Sequence, residues 1–191
     1  MSSAAIDSLL GRRSMKFVQA PGPSETELDT ILQAAMRAPD HGQLRPWRFR
    51  LMRGDAVAKW AETAIRICEE AGEPITPQKA AGARQWLKNV PILLAVGCYI
   101  DHSNTRIPEE ERMLATGAAV VNMLNAAHML GYSAYWSTGL GTYVDEVAEA
   151  LDFDPLEYRF MGYVSFGTAM RELPTRERPD YHDFVTEWTG E

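Results

Sequence analysis

The segment between Pro108 and Gly131 limits the possible folds more than any other part of this chain. Pro108 suits the first turn of a helix, and Glu109, Glu110 and Glu111 place carboxylates where the helix dipole favours them. Gly131 suits the end of the same helix. The segment is apolar almost all round, at Met113, Leu114, Ala118, Val121, Leu124 and Ala127. A helix of this kind belongs in a core or a subunit interface, so the fold must cover it on several sides.

Helices and strands alternate along the rest of the chain. Ser24 and Glu27 form a capping box, and the helix that they begin carries an apolar stripe as far as Met36. Residues 90–99 form an apolar run that is typical of a strand buried on both faces. The chain has no repeat, no linker, no GxGxxG motif after a strand and no P-loop motif, so a Rossmann or P-loop fold is disfavoured. We expect one three-layer α+β domain over residues 1–191.

The alternation of apolar and polar residues predicts which side chains of two strands face the core. In residues 47–53 the buried face is expected to consist of Trp47, Phe49 and Leu51. In residues 158–167 one face is expected to consist of Phe160, Gly162, Val164 and Phe166. Asp55 is expected to cap the helix that follows the first of these strands.

Composition and motifs disfavour several classes of protein. The net charge of −7 and the lack of a long basic run argue against nucleic acid as a partner. The longest apolar run, residues 90–100, is too short to span a bilayer, and no N-terminal segment resembles a signal peptide. Cys68 and Cys98 form no CxxC pair and suit an apolar core in a reducing compartment, so we expect a cytoplasmic protein. The histidines lack the spacing of a zinc helix and no GxSxG elbow is present, which disfavours a metal site and a serine hydrolase.

Arg12, Arg13 and Ser14 form a candidate anion clamp after the first helical stretch, residues 3–13. A guanidinium offers a planar fork of donors that matches a phosphate. Paired arginines at a helix end also serve the helix dipole or solubility, and the tripeptide alone does not decide between these roles. His41, in the loop 39–46, is likewise either solvated or functional.

Two tryptophans flank polar loops and allow two interpretations. Trp47 and Trp136 can pack in the core, as most tryptophans do. They can instead line an apolar slot for a planar ligand whose edges are fixed by polar groups.

Five segments, taken in order, together resemble one known family. They are Arg12-Arg13-Ser14, Arg37-Ala38-Pro39-Asp40-His41, Arg45-Pro46-Trp47, Gly131 to Gly139 with Trp136, and Gly162 to Thr168. This ordered set is similar to the FMN-dependent nitroreductase family, in its short, minimal branch, and it covers nearly the whole chain. The resemblance implies a three-layer α/β/α fold with a mostly antiparallel central sheet, and a homodimer with FMN in two sites at the subunit interface.

The resemblance also implies which residues meet the cofactors. Arg12, Arg13 and Ser14 correspond to the family segment that binds the FMN phosphate and ribityl chain. Trp136, Ser137 and Thr138 correspond to the segment that runs along the isoalloxazine ring and its polar edge. Arg37 and His41 correspond to residues that meet the flavin of the partner subunit. Residues 126–131 correspond to a stretch assigned to NAD(P)H binding. No catalytic acid or base is assigned, and Arg37 is our candidate for stabilising anionic reduced flavin.

We therefore expect an NAD(P)H oxidoreductase that reduces electron-poor acceptors, such as nitroaromatics or quinones, by a ping-pong hydride mechanism. Two departures from the family leave alternatives open: Arg45 stands where glutamine is common, and Ser137 where the short branch often has arginine. The alternatives are a non-catalytic flavin-binding or storage protein on the same scaffold and a specialised reaction such as reductive dehalogenation.

The end of the chain is expected to pack on the partner subunit. Residues 168–191 are rich in proline and charge, yet they contain four large apolar side chains, Tyr181, Phe184, Val185 and Trp188. Disordered segments contain few large apolar side chains, so we expect this segment to pack against another surface.

Overall fold

A five-stranded antiparallel sheet runs through the computed structural model, which describes residues 4–172 and 177–190. Its strands are β1 (Val18–Gln19), β2 (Trp47–Arg53), β3 (Ile92–Tyr99), β4 (Ser133–Ser137) and β5 (Tyr158–Ala169). Strand β5 pairs with β3, with β4 and, through its last two residues, with β1, while β2 pairs with β3. All four pairings are antiparallel, which confirms the mostly antiparallel sheet that was expected.

Helices cover both faces of this sheet. They are α1 (Ala4–Gly11), α2 (Glu25–Ala35), α3 (Asp55–Glu70), α4 (Pro77–Leu87), α5 (Glu109–Met129) and α6 (Asp145–Glu149). Helices α2 and α5 bury one face, in a cluster that includes Ile31 and Met123. Helices α3, α4 and α6 bury the other face, in a cluster that includes Trp60 and Tyr163. The three-layer α+β arrangement is therefore confirmed.

The helix ends follow the capping chemistry of the sequence, with one exception. The Ser24 hydroxyl accepts from the Glu27 amide at 3.4 Å, and the Glu27 carboxylate accepts from the Ser24 amide at 2.9 Å, so the capping box is present. The expectation for Asp55 is wrong. The N-cap of α3 is Gly54, whose φ of 53° lies in the left-handed region, and Asp55 is the first helical residue.

The predicted buried face of β2 is only partly correct. Trp47 and Phe49 pack with the α2–α5 layer, but Leu51 is 40% exposed. Met52, on the opposite face, packs against the α3–α4–α6 cluster. Strand β2 pairs on one side only, with β3, and the helices do not cover its full length.

The predicted single face of β5 is wrong because the strand contains an irregularity at Gly162. Phe160 packs with the α3–α4–α6 layer, whereas Val164 and Phe166 pack with the α2–α5 layer. Gly162 has a φ of 93°, and the register between β3 and β5 shifts at this point. One extra residue in a strand reverses the faces beyond it, as in a β-bulge.

Helix α5 is buried on one side and exposed on the other. Its inner face includes Val120 and Met123, which are fully buried. Its outer face carries Leu114 and Val121, which are 73% and 47% exposed, with half-buried Ala118 between them. We call Leu114, Ala118 and Val121 the α5 stripe. In the described ranges no helix is both long and apolar enough to cross a membrane.

The described part of the C-terminal segment, residues 177–190, contains a short 3₁₀ turn at Tyr181–Phe184 and is exposed. The large side chains predicted to pack on a partner are all exposed on this chain: Tyr181, Phe184, Val185 and Trp188. Residues 168 and 169 belong to β5, and residues 173–176 and 191 of the predicted tail lie outside the described residues.

Candidate functional site

Residues 12–16 lie in an extended segment beside β4, between two cavities. The Met15 amide donates to the Ala134 carbonyl at 3.0 Å, and Ser14 forms a parallel bridge with Ala134. Arg13 and Met15 line one cavity, while Lys16 lines the other. The segment that contains the predicted anion clamp thus borders both cavities, and of the clamp residues Arg13 lines one of them.

The first cavity, of about 540 Å³, is rich in basic side chains, and we call it the basic cavity. Its lining consists of Arg13, Met15, His128, Ser133, Ala169, Arg171 and Glu172. Close by, an Arg12 guanidinium nitrogen lies 3.5 Å from the Ser14 hydroxyl, and Arg178 donates to the Arg12 carbonyl at 3.2 Å. The two guanidiniums in the lining, those of Arg13 and Arg171, make the cavity suited to an anion such as a phosphate.

The second cavity, of about 560 Å³, lies on the α3–α4–α6 side of the sheet, and we call it the Trp86 cavity. Its lining includes Lys16, Trp86 and residues 137–144. Trp86 is buried, and its Nε1 has no hydrogen-bond partner among the described residues. The Lys16 ammonium lies 6.0 Å from the centre of the Trp86 ring, within reach of a cation–π contact. This volume is in the range of pockets for small cofactors.

The wall of the Trp86 cavity formed by Ser137 and Thr138 depends on Gly162. A Cβ atom at Gly162 would collide with the Ser137 carbonyl oxygen, so only glycine permits this approach of β4 to β5. The indole of Trp136 donates to the Met161 carbonyl at 2.8 Å, which fixes the same junction. The irregularity in β5 therefore sets the path of the predicted flavin-binding segment.

Hydrogen bonds hold the loop that follows β4. The Ser137 hydroxyl accepts from the Gly139 amide at 3.2 Å, and the Thr142 hydroxyl donates to the Gly139 carbonyl at 2.7 Å. The buried Tyr163 hydroxyl donates to the Leu140 carbonyl at 3.2 Å and accepts from the Trp60 indole at 3.1 Å. Burial raises the pKa of Tyr163, so the phenol stays neutral and keeps its donor role.

Arg37 and His41 lie apart from the two cavities within one chain. Arg37 follows the end of α2 and is exposed. His41 lines a third cavity, of about 280 Å³, with Asn104 and Arg106. Its Nδ1 atom lies 2.6 Å from the carboxylate of Glu111. Of the predicted site residues, Arg13 lines the basic cavity and Ser137 and Thr138 line the Trp86 cavity. Trp136 packs against the α2–α5 layer, and Arg37 and His41 lie elsewhere on the chain.

The two departures from the family have different structural settings. Arg45 has a φ of 49°, its amide donates to the Asp40 carboxylate at 2.6 Å, and its carbonyl accepts from Arg48 at 2.8 Å. Ser137 is half-buried, and its hydroxyl turns back to the local loop. Arg45 is thus held in a conformation that non-glycine residues seldom adopt, whereas Ser137 serves the loop itself.

Sequence reasoning missed several residues that line these cavities. Lys16 could have been found, because an extended segment after Ser14 places it near the clamp. Trp86 and Arg171 carry no local signal, since only the tertiary fold brings α4 and the end of β5 to this site. Within the stretch 126–131, predicted to meet NAD(P)H, His128 lines the basic cavity.

Solved structures with the same architecture define the class of fold. A nitroreductase-like family protein from Bacillus cereus superposes with a TM-score of 0.81 at 20% identity, over 100% of this chain and 98% of the other. A Desulfovibrio desulfuricans protein, provisionally named a nitroreductase and solved in complex with FMN, gives a TM-score of 0.77 at 21% identity, over 98% of both chains. The chain has the nitroreductase-like fold.

Sequence comparison identifies the family itself. Residues 9–168 match the sequence profile of the nitroreductase family. The chain belongs to the nitroreductase family. It is 32% identical over 189 residues to a Haemophilus influenzae protein provisionally named an NAD(P)H nitroreductase, which covers 95% of this chain and 98% of the relative. It is 29% identical over 184 residues to the similarly named YdjA of Escherichia coli K12, with the same coverage.

Proposed function

We propose that this protein is an FMN-dependent NAD(P)H oxidoreductase that reduces electron-poor acceptors such as nitroaromatics or quinones. The observation that carries the proposal is the placement of residues 12–16 between a basic cavity and an aromatic-walled cavity. FMN has a phosphate at one end and a planar ring at the other, so it needs both kinds of surface. Family membership and the names of the relatives support the same activity.

The side chains present fit FMN on physical grounds. Arg12, Arg13 and Ser14 would hold the phosphate and ribityl chain, with Arg171 adding charge in the same basic cavity. Trp136, Ser137 and Thr138 would run along the isoalloxazine, whose edges need donors and acceptors. Trp86 and Lys16 give the Trp86 cavity an aromatic surface and a positive charge. FMN, when bound, takes hydride from NAD(P)H and passes it to the acceptor.

We further propose that the site is completed by a second copy of the chain. The α5 stripe and the apolar side chains of residues 181–188 are exposed, and together they offer a surface that a homodimer would cover. Arg37 and His41 would then reach the flavin of the partner subunit. Residues 126–131 would contribute to NAD(P)H binding through His128, which lines the basic cavity. A cytoplasmic location agrees with two free, buried cysteines.

The absorption spectrum of the purified protein tests this function, before and after anaerobic addition of NADH or NADPH. A flavin spectrum that bleaches supports the proposal. A flavin spectrum that persists with both nucleotides favours the flavin-binding or storage alternative. Protein that is colourless and takes up no added FMN rules the proposal out.

A further inference from the structure

One face of helix α4 forms a wall of the Trp86 cavity. Lys79, Ala83 and Trp86 stand at helical positions i, i+4 and i+7, and all three line the cavity together with Gly82. Seven residues of α-helix span about 10 Å, so Lys79 lies about that far from Trp86 along the helix axis. The cavity therefore has two ends, which we call the Trp86 end and the Lys79 end.

The proposed flavin contacts use only the Trp86 end. There, the ammonium of Lys16 lies 6.0 Å from the centre of the Trp86 ring. The Lys79 end includes Thr76, whose hydroxyl accepts from the Lys79 amide at 3.4 Å and so caps α4. The side chain of Lys79 thus lines the cavity from a capped first helical turn, with no role yet in the proposed function.

The charges in the cavity lining favour an anionic ligand. Among the described residues, Lys16, Lys79 and Glu73 are the charged side chains that line it, so two cations face one carboxylate. Within residues 4–172 and 177–190, neither lysine lies within ion-pair distance of a carboxylate. The whole chain carries a net charge of −7, so this surplus of positive charge is local to the cavity. Unpaired cations that line a cavity attract anions to it.

The surface between the two ends suits a planar ring. A Cβ atom at Gly82 would meet no atom within 4 Å, so the middle of the α4 wall is open. Trp86 contributes an indole at one end, and Tyr143, which is 82% exposed, lines the cavity from the loop after β4. Aromatic side chains around an open cavity offer area that a flat aromatic ligand can bury.

We propose that the Lys79 end selects the electron acceptor, and that the preferred acceptor is an aromatic ring that carries a carboxylate. This inference rests on the proposed function, which assigns the Trp86 end to the flavin. Lys79 is then the specificity-determining residue, because its ammonium pairs with the carboxylate while the ring lies toward Trp86.

The reaction is the one already proposed, and Lys79 takes no part in its bond changes. For a nitro acceptor, NAD(P)H supplies two electrons and one hydrogen as hydride by way of the cofactor, and solvent supplies one proton. One N–O bond breaks, the oxygen leaves as water, and the nitroso carboxylate remains. A residue that binds only the distant carboxylate should change KM rather than kcat.

The experiment compares two electron acceptors that differ mainly in charge, 4-nitrobenzoate and the neutral 4-nitrobenzamide, in the FMN-loaded protein. Lys79→Gln removes the cation, and Glu73→Gln removes the opposing carboxylate. Lys88→Gln is the matched control, because Lys88 is an exposed lysine at the other end of α4 and does not line the cavity. Isothermal titration calorimetry measures the binding of benzoate and benzamide, which cannot be reduced by the protein.

We expect the native protein to have an about 10-fold lower KM for 4-nitrobenzoate than for 4-nitrobenzamide. In Lys79→Gln this preference should disappear through a higher KM for 4-nitrobenzoate, with the loss confined to that acceptor. Glu73→Gln should lower the KM for 4-nitrobenzoate, and Lys88→Gln should behave as the native protein. The affinity for benzoate should follow the same order and should fall as the salt concentration rises.

Equal KM values for the two acceptors in the native protein would overturn the proposal. So would an equal loss with both acceptors in Lys79→Gln, because it would place Lys79 in folding or in flavin binding. Native protein that takes up no FMN, or that NAD(P)H does not reduce, would refute the proposed function instead. Calorimetry separates the two cases, since it needs no turnover: Lys79-dependent binding of benzoate supports the inference, and its absence overturns it.

Discussion

At the residue scale, Gly162 and Tyr163 fix the backbone that forms part of the candidate site. Gly162 lets the Ser137 carbonyl approach β5, and the Tyr163 hydroxyl holds the Leu140 carbonyl in the next loop. Neither residue lines the Trp86 cavity. Both therefore act on the site through the path of the backbone.

Replacement of Gly162 by alanine should prevent flavin binding. The added methyl group would collide with the Ser137 carbonyl, and a φ of 93° is unfavourable for alanine. The Ser137–Thr138 segment would have to move. We expect purified Gly162→Ala to lack the flavin absorbance that the native protein shows and to melt at a lower temperature.

Gly11→Ala is the control for that variant, since the nearest atom to its new methyl group lies 3.8 Å away. It should retain native flavin content. Full flavin occupancy in Gly162→Ala would show that Gly162 does not set the path of the segment.

Replacement of Tyr163 by phenylalanine should lower the free energy of unfolding by roughly 1–3 kcal/mol, because the Trp60 indole and the Leu140 carbonyl lose their partner. The pH dependence has a defined sign. Burial raises the pKa of Tyr163, so its contribution is complete below the ordinary tyrosine value of about 10 and is lost as the pH rises beyond that value.

The two proteins should therefore differ most in urea unfolding below about pH 10, and the native protein should lose more stability above it. Tyr143→Phe is the control, because Tyr143 is 82% exposed. An alkaline loss of stability that is as steep in Tyr163→Phe as in the native protein would exclude this residue as its source.

At the element scale, the start of α2 and the end of α5 share one carboxylate. Glu27 accepts from Ser24 in the capping box and from the Tyr132 hydroxyl, at 2.9 Å, just beyond α5. Hydrogen bonds from Ser24 and then Tyr132 lower the pKa of Glu27. The cap thus joins the two helices of one layer.

Replacement of Ser24 by alanine should lower the free energy of unfolding by about 1 kcal/mol at pH 7. The contribution of Glu27 is present above its ordinary pKa and is lost as the pH falls, so the difference between the two proteins should shrink in acid. Thr26→Ala, an exposed change in the same turn, is the control. Equal stabilities of Ser24→Ala and Thr26→Ala in urea unfolding would argue against the cap.

Local chemistry explains which elements could be predicted from the sequence. The cap at Ser24, the helix over residues 109–129 and the buried strand β3 follow from neighbouring residues, and the structure contains all three. The sheet face on which Phe160 lies could not be predicted, because Gly162 adds a residue to the alternation of β5. Glycine is needed at this position because of Ser137 in β4, 25 positions earlier in the chain. The exposure of Leu51 depends on how much of the edge strand β2 the helices cover. The alternation of apolar and polar residues gives no information about that coverage.

At the scale of the whole molecule, the candidate site is divided between two surfaces of one chain. The clamp and the β4 segment lie beside the two cavities, while Arg37 and His41 lie elsewhere. The ordered motifs could indicate the family and its FMN cofactor, while the residues that contact FMN stay a prediction. They could not indicate Trp86, Arg171 or the Glu111 partner of His41, because these depend on packing between distant elements.

Paired substitutions Leu114→Glu and Val121→Glu should convert the protein to a monomer and lower its flavin content. Carboxylates on the α5 stripe would be buried without partners in a dimer. We expect light scattering to give about half the native mass and absorbance to show little flavin. Leu156→Glu is the control, because Leu156 is 77% exposed on another part of the chain. A dimer of native mass in the double variant would exclude this stripe from the interface.

The exposure of Trp188 gives the chain a built-in optical marker. Trp47, Trp60 and Trp86 are buried, Trp136 is half-buried, and Trp188 alone among the five is 85% exposed. Its fluorescence should therefore be red-shifted and accessible to quenchers such as iodide whenever the C-terminal segment is undocked. Dilution or mutation that separates subunits would then be visible in the emission of the native sequence, without any added dye.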